Sequence, residues 1–316
     1  MKTVLIRHER PEWTDAYVEQ FSELFPDFEF RPAYSLEDAM RHAPDANAII
    51  GIGPQMPPKL ISSMKNLEWV QSLTTGIDNL LAMQEMPKNV PITKCARLHG
   101  TQMSELALLF MLNLVRDFPH MLKNQKAAVW DRQPQPLLYE KTICLLGLGS
   151  IAETIANVCS VLGMTVTGVS NGRSTAPHVD RVYPRAQLEE AASEADFLIV
   201  LVPLSDETRN VIDARILAAM KPSAFLINMA RGGCVDEAAL IDALERGEIA
   251  GAGLDVFENE PLPADDPIWQ APNVILTPHV GGFADIYHKQ CYPIVLENLR
   301  AYASGGPEAL KSAARR

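Results

Sequence analysis

Positive charge is in short supply in this chain. Its 316 residues carry 28 lysines and arginines against 39 aspartates and glutamates, a formal net charge of −11. Nucleic-acid backbones are held by clustered lysine and arginine that displace counterions, so nucleic acid is not an expected partner. Cysteine is sparse as well. The five, Cys95, Cys144, Cys159, Cys234 and Cys291, are dispersed, and no pair has metal-ligand spacing. An odd, scattered set argues against a disulfide framework and for a reducing compartment. Cys144 and Cys159 lie in apolar surroundings and read as buried thiols. Long apolar stretches are missing too. The longest run, 106–112, is too short to cross a bilayer. The opening, MKTVLIRHERPEW, turns charged at once and lacks the apolar core of a signal peptide. The expectation is a cytoplasmic protein with no metal site and no membrane contact.

What is present is an ordinary globular composition, long enough for two domains. The first third alternates apolar strands, over 3–6, 48–52, 69–73 and 92–95, with helical stretches. Such alternation predicts a mostly parallel sheet with helices on its faces. Residues 104–126 read as one long helix with Ser104 as N-cap. Its apolar surface leaves three roles open: a crossing between domains, a subunit interface, or a plain core helix. Pro134 and Pro136 then break the chain. Alternation resumes with strands over 142–146, 165–169, 197–202, 224–228, 251–254 and 274–277. These continuous apolar strands predict burial on both faces, as in a doubly wound sheet. The segment from Asp285 reads as helical and returns to the first domain. The expected division is a discontinuous substrate-binding domain, 1–100 with 284–316, and a dinucleotide-binding domain, 101–283.

A glycine turn follows the strand at 142–146. Gly147-Leu148-Gly149-Ser150-Ile151-Ala152 comes straight after the strand and opens a helix, the context that makes such a pattern specific. Gly147 permits the tight turn, Gly149 lets a pyrophosphate approach, and the small Ala152 allows close helix–strand packing. The free amides of Ser150 and Ile151 at the helix start would receive the pyrophosphate. The next strand ends in Val169-Ser170-Asn171-Gly172-Arg173-Ser174, with no carboxylate for a ribose 2′-hydroxyl. Arg173, helped by Ser170 and Asn171, suits a 2′-phosphate, which points to NADP(H), with NAD(H) as the alternative. The bland reading of Arg173, a solvated loop residue, stays open. Pro203 and Ala230, beyond later strands, are further cofactor-lining candidates.

Polar residues stand past three successive strand ends. They are Arg231 in Asn228-Met229-Ala230-Arg231-Gly232-Gly233, Asp255 and Glu260 in LDVFENEP, and His279 in TPHVGG. In open parallel sheets ligands bind beyond these ends. Taken singly, each could be a surface charge, a loop residue or a core histidine; their recurrence is the signal. The other histidines, His8, His42, His99, His120, His178 and His288, are assigned structural roles, with His99 also a candidate for shaping the substrate pocket.

The runs INMARGGCVDEAALIDAL, GAGLDVFENEPLP and NVILTPHVGG, in order behind the glycine turn, resemble the D-2-hydroxyacid dehydrogenase family, with glyoxylate/hydroxypyruvate reductases among its members. The likeness is strongest over 141–282 and weaker in SLTTGIDNL. It implies two Rossmann-like α/β domains with doubly wound parallel sheets, an active site in the cleft and a homodimer. It also implies reduction of small 2-oxo acids to D-2-hydroxy acids. The chemistry suits the residue types. His279 is the expected acid, because imidazole can be protonated near neutral pH. Glu260 would orient it, and Arg231 would grip the substrate carboxylate and polarise the ketone. Asp255 would orient the nicotinamide amide or tune the site. The resemblance adds the backbone of Thr75 and Gly76 as substrate contacts. Two alternatives remain: a nucleotide-sensing corepressor-like protein on the same fold, and a related dehydrogenase of another 2-hydroxy acid. Phosphoglycerate dehydrogenases often carry a regulatory domain for which the chain has no expected room.

Overall fold

Alternate side chains of the central strands feed opposite apolar layers. In β1 (Lys2–Arg7), Leu5 packs with Ile49, Val70 and Ile92, while Val4 and Ile6 pack with Ala48, Ile50 and Trp69. Successive residues of a strand point to opposite faces, so a run that is apolar throughout needs cover on both. The computed structural model describes residues 1–311 and 313–315. Ser312 and Arg316, inside the predicted 284–316 segment, lie outside the described residues. The chain divides into two units, Met1–Leu98 with Asp285–Arg316, and His99–Ala284.

The first unit holds β1, β2 (Phe28–Ala33), β3 (Ala48–Gly51), β4 (Trp69–Ser72) and β5 (Ile92–Lys94). All its strand pairs are parallel, in the order β2-β1-β3-β4-β5. The helix Tyr287–Gly305 packs within this unit. Tyr287 donates its hydroxyl to Leu73 O (2.5 Å), Asn298 Nδ2 donates to Gln71 Oε1 (2.8 Å), and Tyr302 donates to Glu68 Oε2 (2.8 Å).

The second unit holds β6 (Thr142–Leu146), β7 (Thr165–Val169), β8 (Arg181–Tyr183), β9 (Phe197–Val200), β10 (Phe225–Asn228), β11 (Gly251–Leu254) and β12 (Val274–Leu276). The order β12-β11-β10-β9-β6-β7-β8 is parallel throughout. The order reverses between β6 and β9, the doubly wound arrangement whose ligand sites lie outside the strand carboxyl ends at that switch.

Three features differ from the sequence reading. The predicted helix over 104–126 is two helices, Gly100–Val115 and Phe118–Lys126, separated at Asp117 with φ 49°. His99, not Ser104, holds the N-cap; the Ser104 hydroxyl donates back to Gly100 O (2.7 Å) inside the helix. A serine can bond the carbonyl four residues earlier, so its presence does not mark a helix start. Pro119, in the first turn of the second helix, is where a proline is tolerated. Strands β2 and β8 were not anticipated. Both lie at sheet edges, where FEFRPA can keep its charges and its proline without breaking a central ladder.

Candidate active site

Strands β10, β11 and β12 are neighbours, so their carboxyl ends form one rim. The ladder continues past them: Asp255 N donates to Asn228 O (3.0 Å), and His279 N donates to Asp255 O (2.8 Å). His279 then turns into left-handed backbone, φ 52°. A non-glycine residue is uncommon there and is held by its surroundings. Asp255 supplies the hold. Its Oδ1 accepts from Thr277 Oγ1 (2.6 Å) and Val280 N (2.9 Å), and its Oδ2 accepts from Gly281 N (2.9 Å). Asp255, expected to orient the nicotinamide amide or to tune the site, uses both oxygens on the loop carrying His279.

Glu260 divides its carboxylate in a similar way. Oε1 accepts from Phe257 N (3.0 Å), and Oε2 lies 2.6 Å from His279 Nδ1. This is a short contact between two partly exposed side chains. Its loop also touches the one that carries Arg231. A Cβ on Gly232 would lie 1.8 Å from the Phe257 carbonyl carbon, so only glycine permits this approach of backbone to backbone. Arg231 donates Nη1 to Ala230 O (2.6 Å). Buried Asn228 braces the turn, donating Nδ2 to Arg231 O (3.0 Å) and accepting from Ala230 N (3.1 Å). Its bracing role was missed, although the signal was visible: an amide closing the apolar run FLIN. The structure therefore joins Glu260 to His279 and sets Arg231 on the adjoining loop. Nearby, burial pushes the Glu237 carboxyl up, while it accepts from Glu258 N (2.7 Å).

The glycine turn fits a dinucleotide on two observations. Gly147 has φ 103°, and a Cβ there would meet Val202 at 3.0 Å, so the turn itself requires glycine. A Cβ on Gly149 would meet nothing within 4 Å, which leaves open space over the start of the helix Ser150–Val161. The first intrahelical donor is Glu153 N, to Gly149 O (3.1 Å), so the amides of Ser150 and Ile151 precede the helical ladder. Fully buried Ala152 packs under the sheet layer. Ser170, Asn171, Gly172, Arg173 and Ser174 line an open pocket of about 380 Å³ with Val182 and Pro184. Ser170 Oγ accepts from Gly172 N (3.2 Å), and Asn171 Oδ1 accepts from Arg185 N (3.0 Å). Arg173 Nη1 donates to Leu148 O (3.0 Å) and Glu153 Oε1 (2.6 Å). Pro203 O accepts from Thr208 Oγ1 (2.6 Å).

His99 is buried against Gly282, and burial pushes its pKa down to about 4. Thr75 and Gly76 belong to the first unit, just past β4, where Thr75 Oγ1 donates to Cys95 O (2.6 Å). Among the described residues no group of three or more His, Cys, Asp or Glu is arranged to hold a metal ion, and no helix is long and apolar enough to cross a membrane.

Residues 108–281 match the family model described as D-isomer specific 2-hydroxyacid dehydrogenase, NAD binding domain. The chain belongs to the D-isomer specific 2-hydroxyacid dehydrogenase family. It is 32% identical to a glyoxylate/hydroxypyruvate reductase B of Pectobacterium carotovorum subsp. carotovorum, over 82% of this chain and 83% of that protein. It spans about half the length of the first curated relatives it matches, D-3-phosphoglycerate dehydrogenases. Among solved structures, a family member from Aeromonas salmonicida superposes with TM-score 0.90 at 30% identity, covering 99% of this chain and 98% of that one. An NADPH-dependent glyoxylate/hydroxypyruvate reductase from Sinorhizobium meliloti, in complex with NADP and sulfate, gives 0.84 at 27%, with the same coverage.

Proposed function

We propose that this chain is an NADPH-preferring reductase that converts small 2-oxo acids of the glyoxylate and hydroxypyruvate type to D-2-hydroxy acids. The 2.6 Å contact of His279 with Glu260 carries the reading. Bound NADPH supplies the hydride that reduces the substrate's carbonyl carbon. His279 gives the proton to the carbonyl oxygen. Its Nδ1 faces Glu260, so Nε2 is the donor, and the carboxylate fixes the ring. Arg231 binds the substrate carboxylate with its planar fork and polarises the ketone. The backbone of Thr75 and Gly76, in the other unit, is assigned to substrate binding. Asp255 acts through His279, by holding its backbone turn.

The unit His99–Ala284 is assigned to the dinucleotide and the other unit to the substrate. Gly147, Gly149, Ser150 and Ile151 receive the pyrophosphate, Ser170, Asn171 and Arg173 the 2′-phosphate, and Pro203 and Ala230 line the remainder. Leu109, Leu112, Phe118, Leu122 and Trp130 are exposed on or just beyond the helices Gly100–Val115 and Phe118–Lys126. Apolar surface of this kind supports a homodimer, which sedimentation equilibrium tests directly. The five unpaired, buried thiols support a cytoplasmic setting.

The decisive assay is coenzyme oxidation across a panel of 2-oxo acids with NADPH and NADH. Turnover of glyoxylate and hydroxypyruvate, with the higher kcat/KM for NADPH, is expected. Turnover that favours NADH removes the coenzyme assignment. Failure across the panel removes the substrate assignment and favours nucleotide sensing.

A further inference from the structure

Arg173 does not hang free at the rim of its pocket. One nitrogen, Nη1, donates both to Leu148 O, the carbonyl between the two glycines of the turn, and to Glu153 Oε1 in the first turn of the following helix. Both bonds run through Nη1, and among the described residues the Nε–Nη2 edge makes none. A guanidinium is a planar fork that grips phosphate best along one two-nitrogen edge. Arg173 is therefore held from one side while its other edge remains available.

We propose that Glu153 is a specificity-determining positioning residue: it fixes Arg173 across the glycine turn so that the Nε–Nη2 edge is set in advance for a ribose 2′-phosphate. The inference rests on the NADPH reading above and adds the residue that makes Arg173 effective. A long arginine side chain loses much rotamer freedom when it is fixed, and restraint in the free protein removes part of that loss from binding. Glu153 also carries a negative charge toward an anionic ligand, which opposes binding. Both side chains are 37% exposed, so water and salt weaken the repulsion and the ion pair alike, while the directional 2.6 Å hydrogen bond still restricts where Nη1 can lie. Restraint should prevail. Leu148 O alone is a weaker anchor, because a neutral carbonyl makes a weaker bond to guanidinium than a carboxylate does.

The test uses the full chain and calorimetry with two probes that differ only in the group at issue: adenosine 2′,5′-bisphosphate and adenosine 5′-monophosphate. The quantity read is the ratio of their affinities in the wild type, Glu153→Ala and Glu153→Gln. Alanine and glutamine are both good helix formers, so neither should disturb the helix. The wild type should favour the bisphosphate. Glu153→Ala should shrink that preference by about two- to fivefold, the scale of one partly exposed charged contact. Glu153→Gln keeps a neutral, weaker acceptor for Nη1 and should shrink the preference by less than Glu153→Ala does, because part of the positioning is retained. A preference that is unchanged or widened in Glu153→Ala overturns the positioning role and leaves the coenzyme reading standing. The absence of any preference in the wild type overturns both.

Discussion

His279 and Glu260 meet through a 2.6 Å contact between Nδ1 and Oε2, although nineteen positions and the whole of β12 separate them in the chain. The contact joins the loops past two adjacent parallel strands. Each partner is also tied down separately, His279 by Asp255 O and Glu260 by Phe257 N. The ring orientation is thus built into the rim before any substrate arrives.

Removal of the imidazole should be costly for turnover and cheap for coenzyme binding. His279→Ala is expected to lower kcat by about 100- to 10,000-fold, the usual contribution of a general acid. Coenzyme affinity, followed by fluorescence titration, should hold. Glu260→Gln retains an acceptor for Phe257 N and should lower kcat by less. Near wild-type turnover in the histidine variant would assign the proton to another group.

Asp255 is a buried carboxylate with three donors converging on it. In Asp255→Ala, Thr277 Oγ1, Val280 N and Gly281 N lose their acceptor, a loss of about 3 kcal/mol at this burial. The readout is the urea midpoint. Asp255→Asn keeps one acceptor oxygen and should lose about half as much. A shift below about 1 kcal/mol would mean that the backbone ladder alone holds the loop.

Acid should weaken the fold through His8. Burial, with Arg10 and Arg7 beside it, pushes its pKa down from 6.5 to about 4. Its Nδ1 accepts from Arg10 N (3.0 Å), a role open only to the neutral ring. The folded state binds the proton less readily than the unfolded chain. Its contribution is therefore complete above pH 6.5 and is lost as pH falls toward about 4. His8→Asn offers a non-titrating acceptor and should flatten the fall in denaturant midpoint across that interval. An equally steep fall would place the sensitivity elsewhere, with His99 the next group to test, since its pKa is depressed to the same value.

The cysteines should resist alkylation. All five are buried and unpaired, and burial pushes the Cys144 and Cys159 thiols up to about 12. Thiolate is the reacting form. Native protein at neutral pH should take up almost no iodoacetamide, while denatured protein takes up five equivalents. Fast labelling of one site in native protein would reveal a local opening there.

Much of this was legible before any coordinates. The central strands announce themselves because burial on both faces demands an unbroken apolar run, and β6, β7 and β11 keep the bounds read from sequence. The glycine turn is legible because its requirement is local: positive φ at Gly147 and open space over Gly149. The edge strands β2 and β8 were not legible, since an edge tolerates charges and proline and so leaves no pattern. The break at Asp117 escaped for a related reason, because both helices beside it keep helical composition.

By itself, the sequence determined the α/β layout, the nucleotide turn and the three strand-end clusters, since each is a matter of neighbouring residues. Tertiary structure alone decided the pairings. Asp255 turns to the His279 loop, Glu260 is shared between Phe257 and His279, and Glu153 holds Arg173. Each of these side chains had several partners open to it in the chain. The choice was made only when parallel crossovers laid distant strand ends side by side, because hydrogen bonds act over about 3 Å and sequence separation does not measure that distance.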